Sequence, residues 1–367
     1  MNSSPKITSG TASAYTIPID VPEGDGTFAW NSTTLVVVEL ACGDGTGLGY
    51  TYSHKTAALL AQDLIDKVVV GSDPFDTNAL FARMRYEQRN YGREGVAATA
   101  LSAVDIALWD LKAKLMGQPL VRVLGQMREA VPVYGSGGFT TYTDSQLKEQ
   151  LAGWLQQGIT RVKMKIGAHP EDDVRRVAVA REAIGDETEL FVDANGAYSC
   201  KQALSFSETF AKDYRVSWFE EPVSSDDLEG LHQLRTAGPA GMDIAAGEYG
   251  FTAMYLQRML EAQAVDVLQA DATRCGGVTG FMDVAALCDA HPLPLSAHCA
   301  PTVHTHIASS ARPLRHVEYF HDHARIERML FDGFREPVQG ALYPDLSTPG
   351  LGIAFKHQDA ERFRVGV

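Results

Sequence analysis

Hydrophobic and polar positions form two successive patterns along the chain. In the first pattern, the apolar runs on either side of the GDG turn at 43–45 predict a β-hairpin within residues 6–53. The polar stretch 18–30, which contains several Gly and Pro residues, predicts a loop. Apolar residues then recur at helical spacing from about 56 to 117. Residues 1–125 therefore predict an α+β unit.

After residue 130 the second pattern begins, in which a short apolar strand is followed by a helical stretch, many times over. The predicted strands are 131–137, 161–167, 189–196, 216–223, 243–249, 265–272, 293–299 and 316–320. This spacing, about 20–30 residues from one strand to the next, predicts a (β/α) barrel. An open doubly wound sheet is the alternative, although no G-x-G-x-x-G follows the first strand.

Composition narrows the classes of function. The 367 residues are 45% hydrophobic and 21% charged, which is typical of a globular protein. A net charge of −14, without long blocks of like charge, argues against nucleic acid or an anionic membrane as a partner. Five scattered cysteines without C-x-x-C argue against a disulfide framework and a thiolate zinc site. No signal peptide or membrane-spanning run is visible, so we expect a cytoplasmic protein.

Ionisable residues lie close to the carboxyl ends of seven consecutive predicted strands. In chain order they are Lys163 and Lys165, Asp193 with Asn195, Glu220 and Glu221, Glu248, Asp271, His298 and Glu318. The carboxyl ends of barrel strands form the active-site face, so these side chains are expected to converge.

Asp193, Glu220 and Glu248 are the candidate metal ligands. Three successive strands would bring their oxygens together, a donor set that suits a hard cation such as Mg²⁺. The alternative is that each carboxylate forms a salt bridge at its strand end. Without a metal, however, three converging carboxylates would repel one another and raise their pKa values. Of the adjacent pair Glu220 and Glu221, only one is expected to face the metal.

Lys163 and Lys165 are expected on one face of their strand, because side chains two residues apart point the same way. A second lysine and a metal nearby would lower the pKa of Lys165, which would suit a general base. Lys163 would stay charged and hold a substrate carboxylate. The alternative is that one lysine pairs with the carboxylates and the other extends outward.

His298 and Asp271 form a second predicted pair on adjacent strands. An aspartate in this position can orient an imidazole and stabilise its protonated form. His304 and His306 lie at helical positions without an identifiable partner, and we interpret them as structural.

The ordered motifs resemble those of the enolase superfamily, in particular its mandelate racemase subgroup. The matching stretches are KMK, VDANG, FEEP, AAGE, QADATRCGGVTG and SAHCAP, with Glu318 at the position of an acid that contacts the reacting carboxylate. SAVDIALWDLKAKLMGQPLVRVLG resembles the superfamily's cap helix and linker, and PGLGI resembles its returning segment. The resemblance covers nearly the whole chain, and it favours Glu220 over Glu221 as the metal-facing residue.

The resemblance implies a two-domain α/β protein. Its parts would be an α+β capping domain, 1–125 completed by about 340–367, and a modified TIM barrel, (β/α)₇β, over 126–340. It also implies a homo-oligomer and Mg²⁺-dependent removal of the proton α to a carboxylate, which gives an enediolate. Lys163 and Mg²⁺ would stabilise the developing charge, and a protonated Glu318 would donate a hydrogen bond to the same group.

Lys165 and His298 would lie on opposite faces of the substrate, and two reactions fit that arrangement. One is racemisation or epimerisation. The other, the subgroup's commonest task, is dehydration of an acid sugar to a 2-keto-3-deoxy acid. Cycloisomerisation comes third, since such relatives usually carry a lysine at the far face. A metal-dependent hydrolase would normally show H-x-H on the first barrel strand, and a non-catalytic binding protein would have little reason to keep so many buried charges.

The residues of two cap loops favour dehydration over racemisation or epimerisation. These loops carry the polar residues Asp20, Glu23, Asp25, Asn31, His54 and Lys55. A polar lid suits a hydroxylated substrate, whose hydroxyl groups need partners once they leave water. Trp30 and His54 of these loops, together with Lys163, Asn195 and Glu318, are the predicted substrate-binding residues.

Overall fold

The computed structural model describes residues 5–366, which form a cap of sheet and helices on a closed barrel. The strands are β1 (Ser9–Gly24), β2 (Ala29–Cys42), β3 (Gly45–Tyr52), β4 (Val131–Gly137), β5 (Arg161–Lys165), β6 (Glu189–Asp193), β7 (Val216–Glu220), β8 (Asp243–Ala246), β9 (Val267–Ala270), β10 (Leu295–Ala297), β11 (Leu314–Phe320), β12 (Phe331–Asp332), β13 (Ala341–Leu342), β14 (Ala354–Phe355) and β15 (Arg364–Val365). The α-helices are α1 (Thr56–Leu64), α2 (Thr77–Glu87), α3 (Val96–Leu115), α4 (Leu120–Leu124), α5 (Asp144–Gln156), α6 (Pro170–Ile184), α7 (Cys200–Tyr214), α8 (Leu228–Ala237), α9 (Ala253–Glu261), α10 (Gly277–Ala290), α11 (Pro301–Ala308), α12 (His321–Leu330) and α13 (His357–Ala360).

The cap contains an antiparallel sheet in the order β15-β1-β2-β3, with α1, α2 and α3 beside it. The predicted hairpin turn lies between β2 and β3, and the predicted helices follow. Helix α3 packs closely on β3 because Gly47 and Gly49 carry no side chain. A Cβ atom at Gly49 would lie 2.1 Å from the carbonyl oxygen of Ala103. This contact places the long buried helix directly under the sheet.

The prediction of a loop at 18–30 is wrong. Strand β1 continues to Gly24 and pairs with β2, with Glu23 opposite Trp30, so most of this stretch is a β-hairpin. Its turn is held by Asp25, whose Oδ1 accepts hydrogen bonds from the backbone N–H groups of Thr27 and Phe28, each at 2.7 Å. The polar residues suggested a loop because this hairpin extends beyond the cap core, where few apolar side chains are needed.

The eight predicted barrel strands are confirmed. Strands β4 to β11 pair in parallel in chain order, and β11 pairs back with β4, which closes the barrel. Its interior is filled by Tyr134, Phe191, Trp218, Ala245 and Val267. Each strand is followed by a helix, and α12 after β11 leads into the returning segment with its short strands β12 to β15.

Polar contacts between the cap and the barrel include one group at α3 and one at the barrel mouth. Asp105 of α3 accepts hydrogen bonds from the backbone N–H and the hydroxyl of Thr279, at 2.9 and 2.8 Å. The tip of the β1–β2 hairpin is held by Thr140 and Thr141, whose hydroxyls donate to backbone carbonyls of Asp25 and Pro22, at 2.8 and 2.6 Å. The hairpin is therefore tied to the barrel mouth. Within residues 5–366, no helix is both long and apolar enough to cross a membrane.

Candidate active site

Strand register brings the predicted residues together at the barrel mouth. Lys165 of β5 lies opposite Asp193 of β6, and Asp193 lies opposite Glu220 of β7. Glu248 follows β8 and His298 follows β10. Parallel strands that end together deliver their last side chains to one layer. The sequence prediction of convergence at this face agrees with the structure.

Lys163 lies at the centre of this layer and is fully buried. Its ammonium group contacts Glu220, lies 2.8 Å from Glu318 Oε1 and lies 3.3 Å from Asp193 Oδ2. Burial lowers the pKa of Lys163, but the attraction of Glu220 and Glu318 outweighs it, so the pKa lies well above its usual range. These contacts favour the charged form of Lys163, and its partners here are carboxylates of the protein, whereas the sequence analysis expected a substrate carboxylate.

Lys165 reaches the same cluster from the cavity side. Its ammonium group donates a hydrogen bond to Asp193 Oδ2. Burial, the largest single effect, lowers the pKa of Lys165, but the attraction of Asp193, Glu248 and Glu220 together outweighs it, so the net direction is upward. The expectation of a lowered pKa is therefore not met by the protein's own residues, because the carboxylate next to Lys165 has a larger effect than Lys163.

Glu220 and Glu221 are both buried, which the alternation argument did not anticipate. Glu220 accepts hydrogen bonds from Lys163 and from Trp218 Nε1, the latter at 2.9 Å. Burial, and then repulsion by Asp193, raises the pKa of Glu220 to about 8. Glu221 follows the end of β7 with a φ of 37°, so strict strand alternation ends there. Burial, and then Glu248, raises its pKa well above the usual range.

His298 is held between carboxylates on two sides. Its Nδ1 lies 2.8 Å from Asp271 Oδ2, as the sequence predicted, and its Nε2 lies 2.7 Å from Glu248 Oε2. Burial lowers the pKa of His298, but neighbouring Cys299, Glu248 and Glu318 raise it well above the usual range. Burial raises the pKa of Asp271, but the hydrogen bond and charge of His298, together with the charge of Arg274, outweigh burial and hold the pKa below its usual range. The pair is therefore an imidazolium with an orienting carboxylate.

The two cations beside Glu318 favour its ionised form, whereas the sequence analysis expected a protonated acid. Burial raises its pKa, but Lys163 and His298 outweigh that effect and the pKa falls below its usual range. Its Oε1 lies 2.8 Å from the Lys163 ammonium group and its Oε2 lies 3.5 Å from His298 Nε2. Glu318 therefore lies between Lys163 and His298. The structure places Glu318 on the cavity wall, and the resemblance did not account for the two cations beside it.

The backbone is unusual at several strand ends of this face. Asn195, Glu221, Cys299 and Ala300 all have positive φ, at 46°, 37°, 54° and 40°. Non-glycine residues adopt this region only at an energetic cost that the surrounding structure must offset. His304, which the sequence analysis interpreted as structural, helps to hold this backbone. Its Nδ1 lies 2.7 Å from the Cys299 carbonyl oxygen, and its Nε2 accepts a hydrogen bond from the Ala272 N–H at 2.9 Å.

A cavity of about 420 Å³ opens between this layer and the cap, within the size range of ligand sites. Lys165, Asn195, Glu248, His298 and Glu318 line its barrel side. Trp30 lines its cap side, as predicted. The side-chain amide oxygen of Asn195 is buried there without a hydrogen-bond partner, which is an open position for a polar ligand.

His54 is not where the sequence analysis placed it. Its imidazole is exposed, pairs with Thr56 and does not line the cavity. Lys55 instead donates to the backbone carbonyl of Gly366. Of the acidic cap residues, Asp25 lines the cavity, whereas Asp20 pairs with His321. A loop sequence indicates which residues are polar, but the direction of each side chain depends on the packing of the hairpin.

Glu23 holds the side chain of Trp30 through a hydrogen bond. It is almost fully buried, and its Oε2 accepts a hydrogen bond from Trp30 Nε1 at 2.7 Å. Burial, and then repulsion by Asp322, raises the pKa of Glu23 to about 8. The Trp30 ring also packs edge-on against Phe139 of the barrel, with centroids 5.7 Å apart. The orientation of this cavity wall is therefore fixed by both domains.

Several residues at the cavity were missed by the sequence analysis. Arg274 lines it, donates to the backbone carbonyl of Glu248 at 3.0 Å and lies over the ring of Tyr249. His323 also lines it and stacks on Tyr52, with centroids 3.5 Å apart. The spacing of Arg274 three residues after Asp271 was a usable signal. Nothing in the sequence pattern distinguished His323.

The charges of this layer fit a divalent cation. Its carboxyl groups are Asp193, Glu220, Glu221, Glu248, Asp271 and Glu318, against the cations Lys163, Lys165, Arg274 and protonated His298. The carboxyl groups outnumber the cations, and Glu221 Oε1 is buried without a hydrogen-bond partner. Repulsion between neighbouring carboxylates adds to the effect of burial in raising the pKa values of Glu220 and Glu221. An all-oxygen donor set with this excess suits Mg²⁺.

Comparison with known families gives two matches. A model described as "Mandelate racemase / muconate lactonizing enzyme, N-terminal domain" matches residues 18–125. A model described as "Enolase C-terminal domain-like" matches residues 146–360.

Among characterised proteins, the chain is similar to L-talarate/galactarate dehydratase of Salmonella typhimurium, with 33% identity over 331 residues that cover 88% of this chain and 81% of that protein. It is also similar to D-galactarolactone cycloisomerase of Agrobacterium fabrum, with 30% identity over 369 residues that cover 95% of this chain and 96% of that protein.

Among solved structures, a mandelate racemase/muconate lactonizing enzyme-like protein from Rubrobacter xylanophilus has a TM-score of 0.96 and 51% identity, covering 98% of this chain and 100% of that one. The Salmonella typhimurium dehydratase liganded with Mg and L-lyxarohydroxamate has a TM-score of 0.90 and 28% identity, covering 99% of this chain and 94% of that one.

Proposed function

Because the chain belongs to the mandelate racemase subgroup of the enolase superfamily, we propose that it is a Mg²⁺-dependent acid-sugar dehydratase. It would remove the proton α to a carboxylate and expel the β-hydroxyl, giving a 2-keto-3-deoxy acid. The observation that carries this proposal is the pair Lys165 and His298, two proton-transfer groups on the wall of one cavity with an excess of carboxylates between them. The magnesium-liganded dehydratase among the similar structures supports the same chemistry.

Asp193, Glu220 and Glu248 are the residues we propose to hold the metal. They come from three neighbouring strands and are buried, and carboxylate oxygens are the ligands that Mg²⁺ prefers. Bound there, Mg²⁺ would neutralise these carboxylates and polarise the substrate carboxylate. In the structure, the ammonium group of Lys163 contacts Asp193 and Glu220, and that of Lys165 contacts Asp193. Both ammonium groups must move before these carboxylate oxygens can bind the metal.

Lys165 is the proposed base and His298 the proposed acid. Strand β5 and the end of β10 lie at different sides of the closed barrel, so the two groups can approach a substrate from opposite faces. Lys165, once its amine is neutral, takes the α-proton, and the imidazolium of His298 gives its proton to the β-hydroxyl, which leaves as water. The enol that remains tautomerises to the keto acid. Asp271 keeps His298 oriented.

The proposal is tested by proton NMR in D₂O with Mg²⁺, on a panel of sugar acids, 2-hydroxy acids and amino acids. We expect a 2-keto-3-deoxy product, and we expect its formation to stop when EDTA is added. Deuterium incorporation with inversion at the α-carbon, and no keto acid, would instead establish a racemase or epimerase. An unsaturated or cyclised isomer without loss of water would establish a cycloisomerase.

The metal assignment predicts different effects for the two adjacent glutamates. We expect Glu220→Gln to weaken Mg²⁺ binding by about 10–100-fold, because a ligand charge is lost, and Glu221→Gln to weaken it much less. Calorimetric titration of each purified variant with MgCl₂ measures this directly. The two changes are chemically identical and one residue apart, so each serves as the control for the other. A larger loss in Glu221→Gln would transfer the ligand role to Glu221.

We further propose that the chain is divided into two domains. The cap would comprise residues 1–125 and about 340–367, and the barrel 126–340. We also propose a homo-oligomer that acts on a small carboxylate in the cytoplasm. The buried positions of Cys42, Cys275, Cys288 and Cys299 as free thiols support a reducing compartment. Light scattering of the purified protein measures the oligomeric state.

A further inference from the structure

The two walls of the active-site cavity differ in charge. The barrel wall carries Lys165, Glu248, Arg274, His298 and Glu318. The cap wall is lined by residues that bear hydroxyl groups: Ser32, Thr33, Thr34, Tyr52 and Ser53. A substrate whose carboxylate and reacting carbons lie among the barrel residues must place its other end against this cap wall.

Within residues 5–366, no lysine or arginine of the cap lines this cavity. The charged cap residue on the wall is Asp25, which is acidic. His323, where the barrel meets this wall, is neutral, because burial lowers its pKa to about 3. Arg274 lies on the barrel side, engaged with Glu248 and Asp271. The far end of a bound substrate therefore meets no free positive charge from the cap.

The cap hydroxyls can nevertheless bind neutral polar groups. Thr33 donates its hydroxyl hydrogen to Asp322, and Thr34 shares a hydrogen bond with Thr16 at 2.9 Å. Ser53 shares one with Thr99 at 2.8 Å. A hydroxyl oxygen has one donor and two acceptor positions, so each group keeps capacity for another hydroxyl.

Two aromatic rings complete this end of the cavity. Phe28 stacks on Trp30, with centroids 6.4 Å apart, and both rings line the space. Flat apolar rings beside hydroxyl groups suit a carbon chain with C–H and O–H groups, and neither supplies a positive charge to a carboxylate. A second carboxylate here would lose its water without a cationic partner and would lie on the same wall as Asp25.

We propose that the substrate is a sugar monoacid, with one carboxylate and a neutral hydroxylated tail, and that the matching sugar diacid is rejected. This inference rests on the proposed dehydratase function and narrows its substrate class. It separates this chain from the two characterised relatives named above, whose names refer to galactarate, a diacid, and to its lactone.

The test compares matched pairs that differ only at the last carbon: each aldonate of the five- and six-carbon series against the corresponding aldarate. Turnover is followed with Mg²⁺ as formation of the 2-keto acid. We expect kcat/KM for the best monoacid to exceed that of its matched diacid at least tenfold. A diacid that reacts as well or better would overturn the inference and leave the proposed dehydratase intact. Absence of turnover and of calorimetric binding for every compound would overturn both.

A charge-neutralising variant makes the test specific to this wall. In Asp25→Asn the turn keeps a side-chain oxygen for the Thr27 and Phe28 N–H groups, while the repulsion toward a second carboxylate is removed. We expect the diacid-to-monoacid ratio of kcat/KM to rise at least threefold. The matched control is Asp44→Asn, the same change in the exposed turn at the other end of β2, which should leave the ratio unchanged. An unchanged ratio in Asp25→Asn would remove the cap wall from substrate selection.

Discussion

Lys165→Ala is expected to lower kcat by about 10⁴-fold while the fold and Mg²⁺ binding are retained. Lys165 donates to Asp193, lines the cavity and is the group we assign to removal of the α-proton. The methyl group of alanine cannot take that proton, and Asp193, one of the proposed metal ligands, keeps its position in β6. The measurements are the rate of keto-acid formation, α-deuterium incorporation in D₂O and calorimetric titration with MgCl₂.

Lys201→Ala is the matched control, since Lys201 is an exposed residue of α7. It should leave all three measurements near those of the unmodified protein. Lys165→Ala should lose deuterium incorporation together with product formation, because both need the same proton transfer. Turnover within tenfold of the unmodified protein would remove Lys165 from the mechanism. Loss of Mg²⁺ binding would instead show that Lys165 organises the metal site.

His298→Asn is expected to slow product formation by about 10²–10⁴-fold and to leave α-deuterium incorporation largely intact. The reason is that, in the proposed mechanism, His298 protonates the leaving hydroxyl after Lys165 has removed the α-proton. Asparagine can still donate a hydrogen bond to Asp271, so the local structure is retained. NMR in D₂O measures product formation and α-deuterium incorporation in one sample.

The exposed His291 provides the control as His291→Asn, which should change neither rate. If His298→Asn abolished deuterium incorporation as well as product formation, His298 would be the base that removes the α-proton. Full turnover in this variant would exclude it from proton transfer altogether.

The barrel and its residue layer were predictable because they follow from local rules. Strand alternation gives the shared face of Lys163 and Lys165, and parallel pairing puts Asp193 and Glu220 in register. The 18–30 hairpin was missed because its strands carry polar residues where the core signal is weak. The protonation states of Lys165 and Glu318 depend on distances between strands that a sequence does not contain. The same limit applies to His323 and to the outward direction of His54.

The tie between the β1–β2 hairpin and Thr140 and Thr141 has a consequence for how this enzyme can diversify. The groups proposed for proton transfer come from the barrel, while much of the surface proposed to meet the substrate's tail comes from one hairpin, whose tip is held through its own backbone carbonyls. Hairpin side chains that make no contact with the barrel can therefore vary without loosening this anchor, whereas Trp30 on Phe139 and Thr33 on Asp322 hold further contacts. A new preference can arise by mutation within one short segment, with the reaction machinery inherited unchanged.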